Sequence, residues 1–445
     1  MLNFIYNYSP IFFQNLMVSV KGKQFIKQRY TEHYYDELDT LKNCSDKYAL
    51  QEERLNDFIL YIKRNSEFYG KSLNKVNYPI SIQSLKKLPL VEKETINMHL
   101  STIITTNNNL IKAQTGGSTG IGMIYYTTPY DMSRKFAFLD YFKETHGVYK
   151  GMKRVSIGGR DLIPKNQKRN IFWRYNKPLN QLLFSAYHAD GDNLKYYVKQ
   201  LKSFKPESID GFTTVIHRMA KYIIDNQIKL NFKPIAIFPT AETLTDEMKQ
   251  DIEKAFNCPV RNQYASSEGA PFITENINGE LEINPETGVF ELEHIQENIY
   301  ELIVTGFYTT TTPLLRYKIG DSVELYNKLP PNYSQRDIKI KRIIGRNNDF
   351  LISNERGIVT NVNLSTVIKE AGQSIKNSQF VQNKIDEIDI YLVTEEKINK
   401  EKLEKLLSSK LKIRFGETTT FKFKYVDSIS KTTGGKTRFT INNIV

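Results

Sequence analysis

A layered α/β fold, completed by a small α+β unit at the C-terminal end, is what this sequence predicts. Three observations carry that expectation. Helix and strand patterns alternate from Thr128 to Tyr264, which is how chains build α/β layers. After about residue 280 the runs become β-rich, and strand, helix and strand patterns close the chain. At 445 residues the chain also exceeds one ordinary core, so two or three domains are expected. We place the division near Asn348, giving a large N-terminal part, residues 1–347, and a small C-terminal part, residues 348–445.

Taken in order, Ser9-Pro10 starts a helix in which Phe12, Leu16 and Val20 stack at helical spacing beside Phe13 and Met17. Lys21, Lys23, Lys27 and Arg29 follow, so this helix either packs on its own domain or rests on an anionic membrane. Residues 46–66 read as helical, and Lys86 to Leu100 as a loop and short helix. Two short apolar runs, Leu110 to Ala113 and Met123 to Tyr126, enclose Thr115-Gly116-Gly117-Ser118-Thr119-Gly120. Thr128-Pro129 then starts a helix that Gly147 stops, with Phe136, Leu139 and Phe142 as its apolar stripe. Helices near Leu194 to Phe204 and Val215 to Asp225 precede a strand at Ile235 to Phe238. Thr245 caps a helix carrying Met248, Ile252 and Phe256, and Pro259 to Tyr264 returns as a strand. Further strands are expected at Glu301 to Thr305, around Leu314 to Tyr317, at Ile338 to Ile344, at Ile388 to Val393 and at Phe421 to Val426, with a helix at Lys400 to Lys410.

Composition narrows the function classes. Hydrophobic residues at 40% and charged ones at 25% mark a globular chain. Two cysteines, Cys44 and Cys258, show no metal spacing and suggest a reducing compartment, hence a cytoplasmic location. We expect neither a transmembrane helix nor a secretory signal. The net charge of +13 fits an anionic small molecule, a membrane surface or nucleic acid. The lysines are scattered and no nucleic-acid motif is present, so we expect no nucleic-acid partner.

The glycine stretch can turn backbone N–H groups toward an anion, with hydroxyls from Thr115, Ser118 and Thr119 beside them. It is not a Walker loop, because Met123 and Ile124 stand where Lys and Ser/Thr are required; it is either a different phosphate loop or a turn. Four other stretches put polar residues at the ends of apolar runs: Thr240-Ala241-Glu242, Tyr264 to Gly269, Arg316 to Asp321, and Gly345 to Asp349. Nucleotide chemistry offers each a task. Tyr264 has a flat face for a base, Ser267 a hydroxyl for phosphate and Glu268 a hard oxygen for Mg²⁺. Asp321 suits ribose hydroxyls, and Arg316 and Arg346 suit phosphate or ribose oxygens.

Together and in this order these stretches resemble the adenylate-forming superfamily of acyl-CoA synthetases, adenylation domains and luciferase. The resemblance is strongest to the phenylacetate–CoA ligase branch and its capsular polysaccharide (CapK-type) proteins. Residues Ser9-Pro10 through Gln14-Asn15-Leu16, Ser185 to His188 and Gly211 to Thr214 are similar to stretches of that capsular branch. The match covers nearly the whole chain. Its departures are Gly122 in the phosphate loop, Ala265 for Gly, Asn347-Asn348 for the usual x-Asp, and Thr213-Thr214 for Pro-Ser.

The resemblance implies an ATP- and Mg²⁺-dependent ligase that converts a carboxylate into an acyl-adenylate. It implies ATP contacts from Thr115, Gly116, Gly117, Ser118, Thr119, Gly120, Ala241, Glu242, Tyr264, Ser267, Asp321 and Arg346, and Mg²⁺ on Glu268. Lys436, in Gly435-Lys436, is the implied catalytic lysine, carried on a small mobile domain that hinges at Asn348 and presents Gly357 to the acceptor. His188, Phe212 and Thr213 fall in the implied acyl pocket. The acceptor would be CoA, phosphopantetheine or an amine. Transfer of AMP itself to an acceptor, or a non-catalytic scaffold at the inner face of the membrane, are the competing readings.

Overall fold

In the computed structural model, residues 2–114, 123–160, 162–164, 167–189, 191–346, 350–355, 357–360, 364, 367–368, 371, 374–396, 398–430 and 438–444 are described, the side chains of 2, 3, 114, 346, 357, 358 and 360 excepted. The expected site residues 115–120, Asn348 and Lys436 lie outside the described residues, as does the side chain of Arg346.

Helices α1 (Leu2–Tyr8), α2 (Ile11–Arg29), α3 (Glu32–Asn43), α4 (Lys47–Asn65), α5 (Glu67–Ser72), α6 (Ile82–Leu85) and α7 (Lys93–Ile103) come first. Strands β1 (Ile111–Gln114) and β2 (Ile124–Thr127) pair antiparallel on either side of the glycine stretch and lead into α8 (Pro129–Glu144). A five-stranded sheet follows, built from β3 (Arg154–Gly158), β4 (Trp173–Asn176), β5 (Gln181–Ser185), β6 (Ser208–Phe212) and β7 (Ala236–Thr240) in the order β4-β5-β3-β6-β7. Its pairs are parallel except β4 with β5. Helices α9 (Leu194–Phe204), α10 (Thr213–Asp225) and α11 (Asp246–Phe256) connect and cover it. Leu201, Ile216, Met219 and Ile252 are fully buried against Val155 and Ile209, each such side chain contributing about 1.5–3 kcal/mol.

The second sheet is antiparallel. It comprises β8 (Gln263–Tyr264), β9 (Ile273–Glu275), β10 (Leu281–Ile283), β11 (Gly288–Gln296), β12 (Ile299–Gly306), β13 (Tyr317–Leu325) and β14 (Ile340–Arg346), ordered β11-β12-β13-β14-β10-β9-β8. Helix α4 lays Leu55, Phe58, Ile59 and Ile62 into the same core as Phe290, Leu302 and Val304. Nearer the C-terminus, β15 (Phe350–Ser353) pairs with β16 (Gly357–Thr360). Strands β17 (Ile375–Lys384), β18 (Glu387–Thr394), β19 (Thr420–Tyr425) and β20 (Thr440–Asn442) form a sheet ordered β19-β18-β17-β20. The helix Lys400–Phe415 buries Leu403, Leu407, Leu411 and Phe415 in a core shared with Phe380 and Ile390.

Helix α2 packs differently from its apolar pattern. Phe12, Phe13, Leu16 and Val20 are exposed, while Gln14 and Gly22 are buried. The reason is its neighbour, the edge strand β4, whose backbone needs polar partners. Gln14 accepts from Arg174 Nε at 2.6 Å, and Asn15 accepts from the Tyr175 N–H at 3.0 Å. At Gly22 a Cβ would come 2.0 Å from Asn176 Oδ1, so any larger residue there requires the Asn176 side chain to shift. The stretch from Gln14 onward is therefore a latch on the sheet edge.

Helix α8 is pinned on several sides. Asp131 accepts from the Thr310 and Thr311 N–H groups at 2.9 and 2.8 Å. Arg134 Nε donates to Glu37 at 2.9 Å, and Glu37 also receives Arg54 at 2.8 Å and the Tyr308 hydroxyl at 2.8 Å.

Candidate functional site

Strand β7 ends in Thr240 with Ala241 at φ +67°, a left-handed turn that redirects the chain. Glu242 accepts from the Thr214 N–H at 2.8 Å and the Thr214 hydroxyl at 2.9 Å, and its carbonyl accepts from Thr213. The start of α10 and the Ala241-Glu242 turn are thus one unit. Thr213 is fully buried in it, with Phe212 immediately before.

Tyr264, at the end of β8, donates its hydroxyl to Asp321 of β13 at 2.7 Å, and both are buried. The two residues, 57 positions apart in sequence, share one hydrogen bond. Asp321 faces Arg346 across the β13–β14 register. The following turn is tightly built: Ser266 Oγ accepts from the Gly269 and Ala270 N–H groups at 3.1 and 2.9 Å. Gly269 has φ +96°, and a Cβ there would meet Thr309 Cγ2 at 2.5 Å. Glu268 is buried and accepts from the Ser267 hydroxyl at 3.0 Å.

Two residues that the sequence reading did not single out brace this turn. Lys135 of α8 donates to the Ser266 and Ser267 carbonyls at 2.7 and 3.2 Å, and burial pushes its ammonium pKa down to about 8 against the pull of the Glu268 and Asp131 carboxylates. Tyr125 of β2 donates to the Ser267 carbonyl at 2.6 Å, and burial raises its pKa to about 12. The strand–turn–helix around the glycines is therefore wired to the turn carrying Glu268. Tyr125 and Lys135 follow no motif spacing, so only the fold brings them here.

One expectation is corrected. Arg316 does not face a phosphate or ribose position: its guanidinium pairs with Glu291 at 2.8 Å and donates to the Lys86 and Leu88 carbonyls. The residue is buried and has a φ of +48°. His188 bonds Ser185 Oγ through Nδ1 at 2.9 Å and stacks on Phe172 with centroids 5.2 Å apart.

A cavity of about 280 Å³ adjoins these elements. Thr240, Gln263 and Ala265 form one wall, α8 another through Phe136, Leu139 and Lys143. The face of the five-stranded sheet supplies Arg154, Ser156, Gln181 and Asp210, and α2 contributes Arg29. His188, Phe212 and Thr213 are not among its lining residues.

As for Mg²⁺, no group of three or more His, Cys, Asp or Glu side chains is poised to hold a metal among the described residues. Glu268 fits the lesser demand of Mg²⁺ in nucleotide enzymes, one carboxylate completed by substrate phosphates. No helix among the described residues is long and apolar enough to cross a membrane.

Residues 351–443 match the family model of the CapK C-terminal domain. Protein CapK of Staphylococcus aureus is 64% identical over 448 residues, covering all of both chains. The 2-hydroxyisobutyryl-CoA ligase in its postadenylation state, in complex with R3-HIB-AMP, superposes with a TM-score of 0.67 at 15% identity, covering 88% of this chain and 89% of that one. The GH3.15 acyl acid amido synthetase gives 0.52 at 13% identity over 87% and 88%. The anthranilate CoA ligase AuaEII in complex with anthranoyl-AMP gives 0.51 at 12% identity over 75% and 66%. The fold is thus that of adenylate-forming ligases.

Proposed function

We propose, from the premise that the chain belongs to the CapK family and has the adenylate-forming fold, that it is an AMP-forming, ATP-dependent carboxylate-activating ligase serving capsular or other surface polysaccharide assembly. The observation that carries this reading is the hydrogen bond from Tyr264 to Asp321, with Glu268 buried on the turn that follows Tyr264, which joins two of the ordered motifs.

A carboxylate is a poor electrophile because its leaving group would be oxide. Its attack on the α-phosphate of ATP releases pyrophosphate and forms a mixed anhydride with AMP, a good leaving group. The protein's task is to hold two anions in line and offset their repulsion. In this reading residues 115–120 hold the β- and γ-phosphates, the Ala241-Glu242 turn and Tyr264 flank the adenine, and Asp321, with Arg346 opposite it, takes the ribose. Ser267 and Glu268 face the phosphates, and Glu268 holds Mg²⁺, which when bound neutralises phosphate charge. Lys436 bridges the carboxylate and the α-phosphate.

The division at residue 348, the hinge at Asn348 and the presentation of Gly357 to CoA, a carrier thiol or an amine belong to the same proposal. The family match over 351–443 supports a separate C-terminal unit, and Gly357 opens β16 opposite Ser353. The test is pyrophosphate exchange into ATP with a panel of acids. Exchange dependent on one acid establishes adenylation. AMP left on the acceptor, with no free AMP released, replaces this reading by nucleotidyl transfer.

We further infer that α1 and α2 rest on the anionic inner face of the cytoplasmic membrane. Phe4, Ile5, Tyr8, Phe12, Phe13, Leu16 and Val20 are all exposed, and Lys21, Lys23 and Lys27 continue the exposed side, the pairing of apolar and basic residues that anionic lipid favours. Cosedimentation with phosphatidylglycerol vesicles, abolished in Phe12→Ser/Leu16→Ser, is the expected result. Equal binding by that variant overturns it.

A further inference from the structure

The cavity beside Thr240 and Ala265 has an unusual charge balance. Its lining includes four cationic side chains, Arg29, Lys143, Arg154 and Arg160, against two carboxylates, Asp140 and Asp210. The carboxylates are engaged: both oxygens of Asp210 accept from the Ser156 hydroxyl at 3.0 Å, with Lys143 at 3.8 Å, and Asp140 accepts from the Tyr34 hydroxyl at 3.0 Å. The arginines are not. Among the described residues no carboxylate lies within ion-pair distance of Arg29, Arg154 or Arg160, and the Nε donors of Arg29 and Arg154 are buried without a hydrogen-bond partner.

Arg29 and Arg160 lie over aromatic rings. The Arg29 guanidinium lies 3.9 Å from the centroid of the Phe136 ring and 4.7 Å from that of Phe25, and Arg160 lies 5.9 Å from that of Phe25. Burial, together with the charges of Arg160 and Arg154, lowers the Arg29 pKa to about 10 even though Tyr30 and the Asp140 carboxylate act the other way. Gathering four cations against two carboxylates in a partly desolvated site opposes folding. Such an arrangement becomes favourable when an anion enters, and guanidinium forks match carboxylate, sulfate and phosphate oxygens.

We infer that this cavity binds a compact acid bearing an anionic group in addition to the carboxylate that reacts, and that Arg29, Arg154 and Arg160 hold that second group. The inference rests on the ligase reading for the fate of the first carboxylate, which reaches the α-phosphate past Thr240 and Ala265. Ser156 and Gln181 can take hydroxyls on the body of the acid, and Phe136 and Leu139 can cover its carbon face. Gly211, also in the lining, lets β6 approach β3 closely: its φ is +144°, and a Cβ would lie 2.1 Å from the Ile157 carbonyl oxygen.

The test pairs acids of similar size with and without the second charge: succinate against butyrate, and 3-phosphoglycerate against glycerate. Binding is measured by calorimetry without ATP, and turnover by pyrophosphate exchange. The expected result is tighter binding of the dianions, weakened about 10- to 100-fold in Arg154→Met and Arg160→Met, with ATP affinity unchanged. Butyrate and glycerate binding as well as their charged partners, or arginine variants that bind the dianions like wild type, overturns the inference. A parallel loss of ATP affinity in Arg154→Met also overturns it, by assigning the arginines to nucleotide phosphates. Arginine-dependent dianion binding without exchange for any acid upholds the anion site and instead refutes the ligase reading.

Discussion

Replacing Lys135 by methionine keeps the length of the side chain and removes its ammonium group. In the native protein that group donates to the Ser266 and Ser267 carbonyls at 2.7 and 3.2 Å, bonds from a charged donor worth about 1.5–3 kcal/mol each. Burial works against them: the drop from the ordinary ~10.4 to about 8 corresponds to about 3 kcal/mol. The two contributions partly cancel below pH 8, so Lys135→Met should lie within about 3 kcal/mol of wild type at pH 7.

Above pH 8 the balance changes. The native lysine releases its proton earlier than the unfolded one, so the unfolded state binds more protons and wild-type stability rises with pH. Between about pH 8 and 10.4 wild type should therefore gain up to about 3 kcal/mol over the variant. Urea unfolding of both proteins at pH 7.5, 8.5 and 9.5 measures this, and taking their difference removes tyrosine ionisation common to both. Parallel stability curves would refute the burial argument. The freed carbonyls also let the Glu268 turn relax, so KM for Mg–ATP should rise about 10-fold, the effect of losing roughly 1.4 kcal/mol of binding; an unchanged KM would remove Lys135 from the support of that turn.

Other perturbations separate chemistry from architecture. Lys436→Ala should slow adenylation by about 10² to 10³, or ~3–4 kcal/mol, with the urea midpoint unchanged; a change in stability alone counts against its catalytic role. Glu37→Ala leaves Arg54 and Arg134 buried without their shared carboxylate, at about 3–5 kcal/mol, and a loss below 1 kcal/mol by urea titration would be incompatible with that hub. Tyr264→Phe removes one hydrogen bond to buried Asp321, so ATP should bind about 5- to 10-fold more weakly, about 1 kcal/mol, with little change in the adenylation rate at saturation. Equal ATP affinity would separate that bond from the nucleotide.

Legibility followed local physics. Helix α11 was readable because Thr245 caps it, accepting from the Met248 N–H at 3.2 Å, and because Ile252 and Phe256 repeat on one face. By contrast β3, β5 and β6 escaped notice. All five residues of β5 are buried, so it lacks the alternation that marks a strand with one wet face. The strand expected over Pro259 to Tyr264 shrinks to Gln263–Tyr264 and an isolated bridge at Val260, since Val260 extends the parallel sheet and Tyr264 belongs to the antiparallel one. For α2 the sequence leaves two readings open, packing on its own domain or resting on a membrane; its apolar stripe faces outward because Gln14 and Asn15 serve a distant edge strand.

At the site, Tyr264, Glu268 and Asp321 stood out because each closes an apolar run with a polar residue. Their mutual contact, and the loss of Arg316 to Glu291, depend on strand register that spacing does not encode. The cavity arginines are beyond sequence reading altogether. Arg29 ends a helix, Arg154 begins a strand and Arg160 follows it in a loop, and only the packing of α2 over the sheet gathers them.

Helix α8 connects the Glu268 turn with the cavity. It begins two residues after the hairpin around the glycines, props the turn of Glu268 through Lys135, and walls the cavity with Phe136, Leu139 and Lys143. Any coupling of nucleotide and acid through this helix would be reciprocal, the nucleotide altering the acid's affinity by the same factor as the acid alters the nucleotide's. Loosening the helix from its seat on Asp131 and Arg134 should therefore weaken both ligands together.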